Sequence, residues 1–373
     1  MTRICIVAHN AYGAMTGDAF RHVGGVEIQT RALTEWLSRN GYAVSVITWD
    51  EGPANRCEVS EVELVPLCRK DEGIPVVRFF YPRWISLLGA LRAADADLYY
   101  QSGAEYVTGQ VASWCAKHDI PFVFSVASDT DCKADLPALT TIRDRMLYRR
   151  GLKLASRVIA QTREQAKQLE SDFERESYFL PMPCRVPAAS IDDNAALAGR
   201  IDVLMVCRIS REKNIELLLD AAKQLPHLRF NIIGPAEPRD AYAASILEHV
   251  ERCANVIWQG PLPADEVMEC YRRTKLLCCT SLFEGFPNTF LEAWAHGVPV
   301  VSTVDPDGVI TEFGLGYSVS TIEELTDAIL RIVEDPEQLI RHRKTCIAYF
   351  NEHHEPNVAI GRYAQVFDEL IVS

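Results

Sequence analysis

Residues 281–293 read Ser281-Leu282-Phe283-Glu284-Gly285-Phe286-Pro287-Asn288-Thr289-Phe290-Leu291-Glu292-Ala293. They follow an apolar run, Lys275-Leu276-Leu277-Cys278-Cys279-Thr280, of the length expected for a buried strand in a parallel sheet. Gly285-Phe286-Pro287 makes a turn. Beyond it Phe290, Leu291, Trp294 and Ala295 recur at helical spacing, with Asn288 as the expected N-cap. Gly297 stops the helix and Pro299 lies just past it, so Val298-Pro299-Val300-Val301 opens the next strand. The unit is strand, loop, helix, strand. Its loop and helix N-terminus fall where open parallel sheets bind ligands, at the carboxyl ends of the strands.

Two carboxylates frame that unit, Glu284 in the loop and Glu292 in the first turns of the helix. The N–H groups of the helix start favour an anion in the same crevice. A carboxylate beside an anion site suits the hydroxyls of a ribose, and Glu292 is placed for that. Glu284 is placed to face a reacting sugar. A loop charge and a solvated helix carboxylate are the plainer reading of an arbitrary Glu pair. The longer string "EGFPNTFLEAWAHGVPVV", residues 284–301, decides otherwise. It closely resembles the donor-binding motif of the family 4 glycosyltransferases, which are retaining enzymes of the two-domain glycosyltransferase B (GT-B) fold. The resemblance implies that Glu284 and the backbone from Gly285 to Asn288 position the sugar, that Glu292 holds the ribose, and that Phe286, Pro287 and Thr289 belong to the donor site.

A second segment supports the first. Val203-Leu204-Met205-Val206-Cys207-Arg208 reads as a strand, Ser210 to Asn214 as a loop, and Ile215, Leu217, Leu218, Leu219, Ala222 and Leu225 as a helix. Arg208 ends the strand and Lys213 begins the helix. Two fixed cations there would balance a diphosphate and stabilise charge on a departing nucleoside diphosphate. A solvated mixed-charge loop is the commoner fate of such clusters. However, "VCRISREKNIELLLDA", residues 206–221, resembles the family's phosphate-binding segment, and Arg208 and Lys213 fall at its Arg and Lys. The resemblance also places the chain from Trp258 to Leu262 against the base.

The N-terminal half opens in the same style. Residues 3–8 are a buried strand, and a long loop ends in Val23-Gly24-Gly25-Val26-Glu27. A helix follows through Ile28, Ala32, Leu33, Trp36 and Leu37, then the strand Val44-Ser45-Val46-Ile47. The G-x-G-x-x-G dinucleotide spacing is absent. Gly24 and Gly25 would let bare backbone N–H groups approach a phosphate or hydroxyl, and Gly-Gly-Val-Glu resembles the family's first glycine loop. Val76–Phe80, Asp97–Gln101 and Pro121–Val126 read as further strands. The last runs into Ala127-Ser128-Asp129-Thr130-Asp131. In the family this strand often ends with a His near the reacting sugar, and here that His is missing. Asp129 or Asp131 stands in its place, with turn-forming and N-capping as the alternative use.

Composition bounds the rest. The 373 residues suggest two domains, with 48% hydrophobic and 24% charged residues. A net charge of −13 argues against non-specific nucleic-acid binding or strong attraction to anionic lipid. The 12 Cys form no Cys-x-x-Cys pair and several sit in apolar runs, so they are read as reduced thiols rather than metal ligands or disulfides. No signal peptide or membrane-spanning run is seen, so a cytoplasmic protein is expected, with peripheral membrane contact left open. The expected domains are 1–182 on the acceptor side, a linker at 183–200, and 201–354 on the donor side. A C-terminal helix at about 355–373 is expected to pack back on the first domain.

The expectation is therefore α/β: two Rossmann-like domains facing across a cleft in the GT-B architecture. The expected activity is retaining transfer of a sugar from a nucleotide-diphosphate sugar to a hydroxyl acceptor on a glycan, glycolipid or small molecule. Uridine is preferred as the base on family frequency alone. No cofactor and no metal are expected, because Arg208, Lys213 and a helix N-terminus take the metal's place. A nucleotide-sugar 2-epimerase and a non-catalytic nucleotide-sugar-binding protein are the alternatives.

Overall fold

The computed structural model describes residues 1–17, 24–52, 57–59, 61–75, 77–182, 184, 201–237 and 239–372. The chain divides into two units, Met1–Arg185 with Pro356–Ser373, and Val186–Glu355. The expected linker, 183–200, lies outside the described residues apart from Cys184.

In the first unit the strands are β1 (Arg3–Val7), β2 (Ala43–Thr48), β3 (Cys57–Val59), β4 (Val62–Pro66), β5 (Leu98–Ser102), β6 (Phe122–Ser125), β7 (Arg157–Ala160) and β8 (Tyr178–Phe179). They form one sheet in the order β3-β4-β2-β1-β5-β6-β7-β8. Every pair is parallel except β3 with β4. The second unit holds β9 (Ile201–Val206), β10 (Phe230–Ile233), β11 (Val256–Trp258), β12 (Thr274–Cys279), β13 (Val300–Ser302) and β14 (Gly316–Ser318). Their order is β11-β10-β9-β12-β13-β14, parallel throughout.

The central strands are apolar along their length because helices cover both faces of each sheet. Val203, Leu204, Leu276 and Leu277 are buried on alternate faces of neighbouring strands. In both sheets the strand order reverses beside the first strand, between β1 and β5 and between β9 and β12. Those two places are the topological switch points, where ligands bind in open α/β sheets.

The closing helix, Pro356–Val372, belongs to the first unit. Its Tyr363 and Phe367 pack on Tyr100. Asn357 Oδ1 accepts from Trp36 Nε1 at 2.8 Å, and Asp368 Oδ2 accepts from the Tyr42 hydroxyl at 2.8 Å. The helix thus seals the core beneath the helix Gly25–Arg39, as expected from the sequence.

One expected strand is not formed. Val76 lies outside the described residues, and Val77 onward makes a turn that runs into a π-helical turn, Phe79–Trp84. Pro82 has no N–H to give a ladder. Phe79 alone is buried, against Trp84 and Tyr106, while Val77 and Phe80 face solvent.

Gly234 closes β10 at φ +141°, and a Cβ there would stand 1.9 Å from the carbonyl oxygen of Cys207 at the end of β9. Strain and overlap together should make Gly234→Ala destabilising by about 3 kcal/mol or more. Chemical denaturation checks this, and a midpoint equal to that of the wild type refutes it.

Candidate active site

The two loops at the switch point of the second sheet are tied to each other. After β9 the chain passes Cys207 and Arg208, makes a 3-10 turn at Arg211–Lys213, and enters the helix Ile215–Gln224. After β12 it passes Thr280 and Ser281 into the Gly-Phe-Pro turn. Thr280 Oγ1 donates to the carbonyl of Lys213 at 2.8 Å, and Leu282 N–H donates to the carbonyl of Glu212 at 2.8 Å. Between these bonds Lys213 Nζ pairs with the carboxylate of Glu284. Ser281 Oγ donates to the same Glu284 oxygen, Oε1, at 2.6 Å. Both partners are largely withdrawn from solvent, with side chains 19% and 18% exposed.

Arg208 is more open and lies with Nη2 3.2 Å from Glu212 Oε1. Burial pushes the Glu212 carboxyl up, but hydrogen bonds from Ser210, its own backbone and Arg208 together hold it below the usual range. Each cation expected for a diphosphate is therefore already matched by a carboxylate, Arg208 by Glu212 and Lys213 by Glu284.

The helix after the loop is Asn288–Ala295. Its N-cap is Pro287, not Asn288, which falls one residue inside and so does not serve as the expected cap. Pro287 supplies no side-chain hydrogen bond to the first turn, and its carbonyl accepts from the Phe290 N–H at 3.1 Å. Phe286 folds back on Trp294, with ring centroids 6.1 Å apart, and on His354 at 5.5 Å. Its packing anchors the loop between Gly285 and Thr289. Leu282 and Phe283 beside it stay exposed.

Glu292 is not a solvated helix carboxylate. Its Oε2 accepts from the hydroxyl of Tyr271 at 3.0 Å. Burial pushes its carboxyl up to about 7, against the lowering by Tyr271. Tyr271 is fully buried and stacks on His296, whose Nδ1 lies 2.8 Å from the Glu292 carbonyl oxygen. Tyr271 and Ser281 escaped the sequence reading. Tyr271 looks like one more apolar position of the helix Ala264–Arg272, and Ser281 like a turn residue.

In the first unit Gly24 is the N-cap of the helix Gly25–Arg39, at φ −107°. Its N–H, expected to be bare, is taken by Glu27 Oε2 at 3.0 Å. Asp129 is exposed at the start of a 3-10 turn, Asp129–Cys132, and accepts from Gln165 Nε2 at 3.0 Å. Asp131 is buried and turned inward. Its Oδ2 accepts from the N–H groups of Ala127, Ser128 and Ala104 at 3.0–3.3 Å, while burial pushes its carboxyl up to about 6. Asp131 thus braces the loop, which is the turn-forming alternative.

Several Asp-x-Asp triplets are present, and each is engaged elsewhere. Asp95 and Asp97 pair with Arg3, Asp131 with backbone, and Asp305 with the N–H groups of Ile310 and Thr311. Among the described residues no group of three or more His, Cys, Asp or Glu is placed to hold a metal ion. Near the expected base site, Trp258 Nε1 is spent on the carbonyl of Gly234 at 3.0 Å. An open depression beside it is lined by Gln259, Leu262, Glu266, Glu269 and Cys270. Its two carboxylates suit it poorly to phosphate.

Comparison with known proteins gives the family. Residues 189–351 match the family model described as glycosyl transferases group 1, and residues 24–178 match the glycosyl transferase 4-like domain. Together the two models cover most of the chain. The chain is a GT-B glycosyltransferase of family 4. A UDP-N-acetylglucosamine–peptide N-acetylglucosaminyltransferase GtfA subunit of Streptococcus pneumoniae is 25% identical over 51% of this chain and 38% of that protein. An alpha-monoglucosyldiacylglycerol synthase of the same species is 23% identical over 85% of this chain and 77% of that protein. The chain thus spans well under half of the first relative's length. The structure of sucrose-phosphate synthase from Thermosynechococcus elongatus superposes with a TM-score of 0.79 at 19% identity, covering 100% of both chains.

The raised Glu292 carboxyl carries a signed expectation. A carboxyl with a folded pKa near 7, above the unfolded range near 4.3, contributes stability fully present below that unfolded value. The contribution is lost as pH rises through 7. Wild-type stability relative to Glu292→Gln should therefore fall between about pH 4.5 and 7.5 and flatten above. Thermal melts of both proteins across that range test it. A difference that does not change with pH would contradict the assignment.

Proposed function

We propose that this glycosyltransferase moves a sugar from a uridine diphosphate sugar to a hydroxyl acceptor with retention of anomeric configuration and without a metal ion. The observation that carries the donor reading is the Lys213–Glu284 ion pair across the switch point, beside a helix start whose N-cap gives it no side chain. As the anomeric C–O bond breaks, negative charge grows on the leaving diphosphate. Lys213, Arg208 and the first turn of the helix Asn288–Ala295 are the donors that stabilise it. Glu284, bridged to Lys213, lies where the phosphate group joins the sugar and faces positive charge developing at the anomeric carbon. Glu292 accepts hydrogen bonds from the ribose. Retention is supported by the Glu284-to-Asn288 segment's likeness to retaining enzymes. Uridine is supported by the name of the N-acetylglucosaminyltransferase relative.

Replacing Arg208 or Lys213 by Ala should each remove about 2 kcal/mol or more of transition-state stabilisation, as loss of one such donor does. Steady-state kinetics with a UDP-sugar read this directly, and either variant within twofold of wild type would refute the clamp. Glu284→Gln should lower kcat with little change in donor affinity, while Glu292→Gln should weaken binding of UDP alone. Calorimetry separates the two, and an unaltered UDP affinity in Glu292→Gln removes the ribose role. NMR of the product's anomeric centre tests retention, and an inverted product rejects it.

Activity should also persist in EDTA, because Arg208, Lys213 and the helix start do what a divalent ion would. Complete loss in EDTA, restored by manganese or magnesium, would reject the metal-free reading.

A further inference from the structure

The switch point of the first sheet holds a second pair. His9 follows β1, and Glu105 follows β5 as N-cap of the helix Tyr106–His118. The two meet with His9 Nδ1 3.1 Å from Glu105 Oε2. Cys5 and Val7 of β1 and Tyr99 of β5 belong to one core, and the strand alternation carries His9 and Gln101 to that same face. His9 packs on Trp49 with ring centroids 4.5 Å apart and is 6% exposed.

Among the described residues, two acceptor atoms here have no partner. A carboxylate can only accept, so His9 Nδ1 carries the proton toward Glu105. In the neutral ring Nε2 is then a lone pair, and it is buried with no hydrogen-bond partner. Gln101 is 1% exposed. Its Nε2 is used on the carbonyl of Gly103 at 3.3 Å, which leaves Oε1 buried and equally unpartnered. Buried polar atoms are almost always satisfied, and those that are not mark a ligand or water site. Two orphaned acceptors and a half-exposed carboxylate at neighbouring strand ends call for a ligand that donates several hydrogen bonds.

We infer that His9, Gln101 and Glu105 form a hydroxyl-binding subsite that takes a sugar or polyol, with His9 Nε2 accepting from one hydroxyl and Gln101 Oε1 from another. The inference rests on the glycosyl-transfer reading above, for which such a molecule is the acceptor. Glu105 acts through His9 by fixing its tautomer. The wall formed by Trp49 and Tyr106 keeps the imidazole from turning.

The test is nitrogen-15 NMR of the histidine rings in the full chain at pH 8. Methyl α-D-glucopyranoside, myo-inositol and glycerol serve as the probes, with UDP titrated separately by calorimetry. The expected result is a bare Nε2 on His9 in the free protein, moved upfield by at least one of the three probes. His9→Gln, which keeps a polar atom near the Nε2 place, should hold that probe within about threefold of wild type. His9→Asn, which keeps only the contact to Glu105, should bind it at least tenfold more weakly, followed by probe-observed NMR, with UDP affinity unchanged in both. Thermal melts establish that both variants are folded. Normal UDP binding with a His9 resonance that no probe moves overturns the inference alone. A wild-type chain that does not bind UDP overturns the donor reading instead. A probe that binds His9→Asn as tightly as wild type assigns His9 to packing.

Discussion

The ion pair between Lys213 and Glu284 joins residues 71 positions apart, and it exists only because β9 and β12 lie side by side. It is flanked by the bonds from Thr280 and Leu282 to the opposite loop. The pair is mostly buried, so removing one partner leaves an uncompensated charge at a cost of about 3–5 kcal/mol. The pair therefore ties together the two loops at this switch point. It also sets the charge balance. In the proposed reading Lys213 keeps Glu284 as a partner while the diphosphate takes another of its three N–H donors. Ser281, which donates to Glu284 Oε1, keeps that oxygen hydrogen-bonded when Lys213 is shared.

The first sheet repeats the device with different chemistry. Strand order reverses between β1 and β5 as it does between β9 and β12. A charged or titratable side chain at each strand end meets its partner across the reversal, His9 with Glu105 in one unit and Lys213 with Glu284 in the other. The difference lies in what remains unsatisfied. The second unit has cations and an uncapped helix start, which suit an anion. The first has the lone pairs of His9 and Gln101, which suit hydroxyl donors. A reaction between an anionic donor and a hydroxyl acceptor needs one site of each kind.

Much of this was legible in the sequence, for identifiable reasons. Parallel strands buried on both faces leave unbroken apolar runs, so Leu276–Cys279 and Val203–Val206 stand out. Gly297 and Pro299 mark a helix end without reference to anything distant. Glu284, Lys213 and Arg208 sit at ends of such elements, and their placement follows from local pattern. What pairs with them does not. Lys213 with Glu284, His9 with Glu105, and Tyr271 with Glu292 are tertiary contacts between elements, and spacing carries no trace of them. The misread strand at Val76–Phe80 failed for a related reason. Its residues have strand propensity, but Pro82 and the exposed Phe80 show that no neighbouring strand receives them. The missing His after β6 drew attention to Asp129 and Asp131, and of these Asp131 is spent on the backbone of its own loop, a contact no spacing announces.

A net charge of −13 opposes the anionic donor proposed above only over a limited length scale. At physiological salt the Debye length is about 8 Å, so distant surface carboxylates act weakly on a bound diphosphate. Groups within the loops act at full strength because they are partly withdrawn from water. There Arg208 stands against Glu212 and Lys213 against Glu284, while Arg211 lies over the Tyr242 ring. In the proposed reading the start of the helix Asn288–Ala295 adds its dipole to these cations. Pro287 at the N-cap brings no side-chain hydrogen bond to the first turn, where Asn or Ser would have done so. The N-cap position of this helix is thus held by a residue whose side chain has no hydrogen-bonding group.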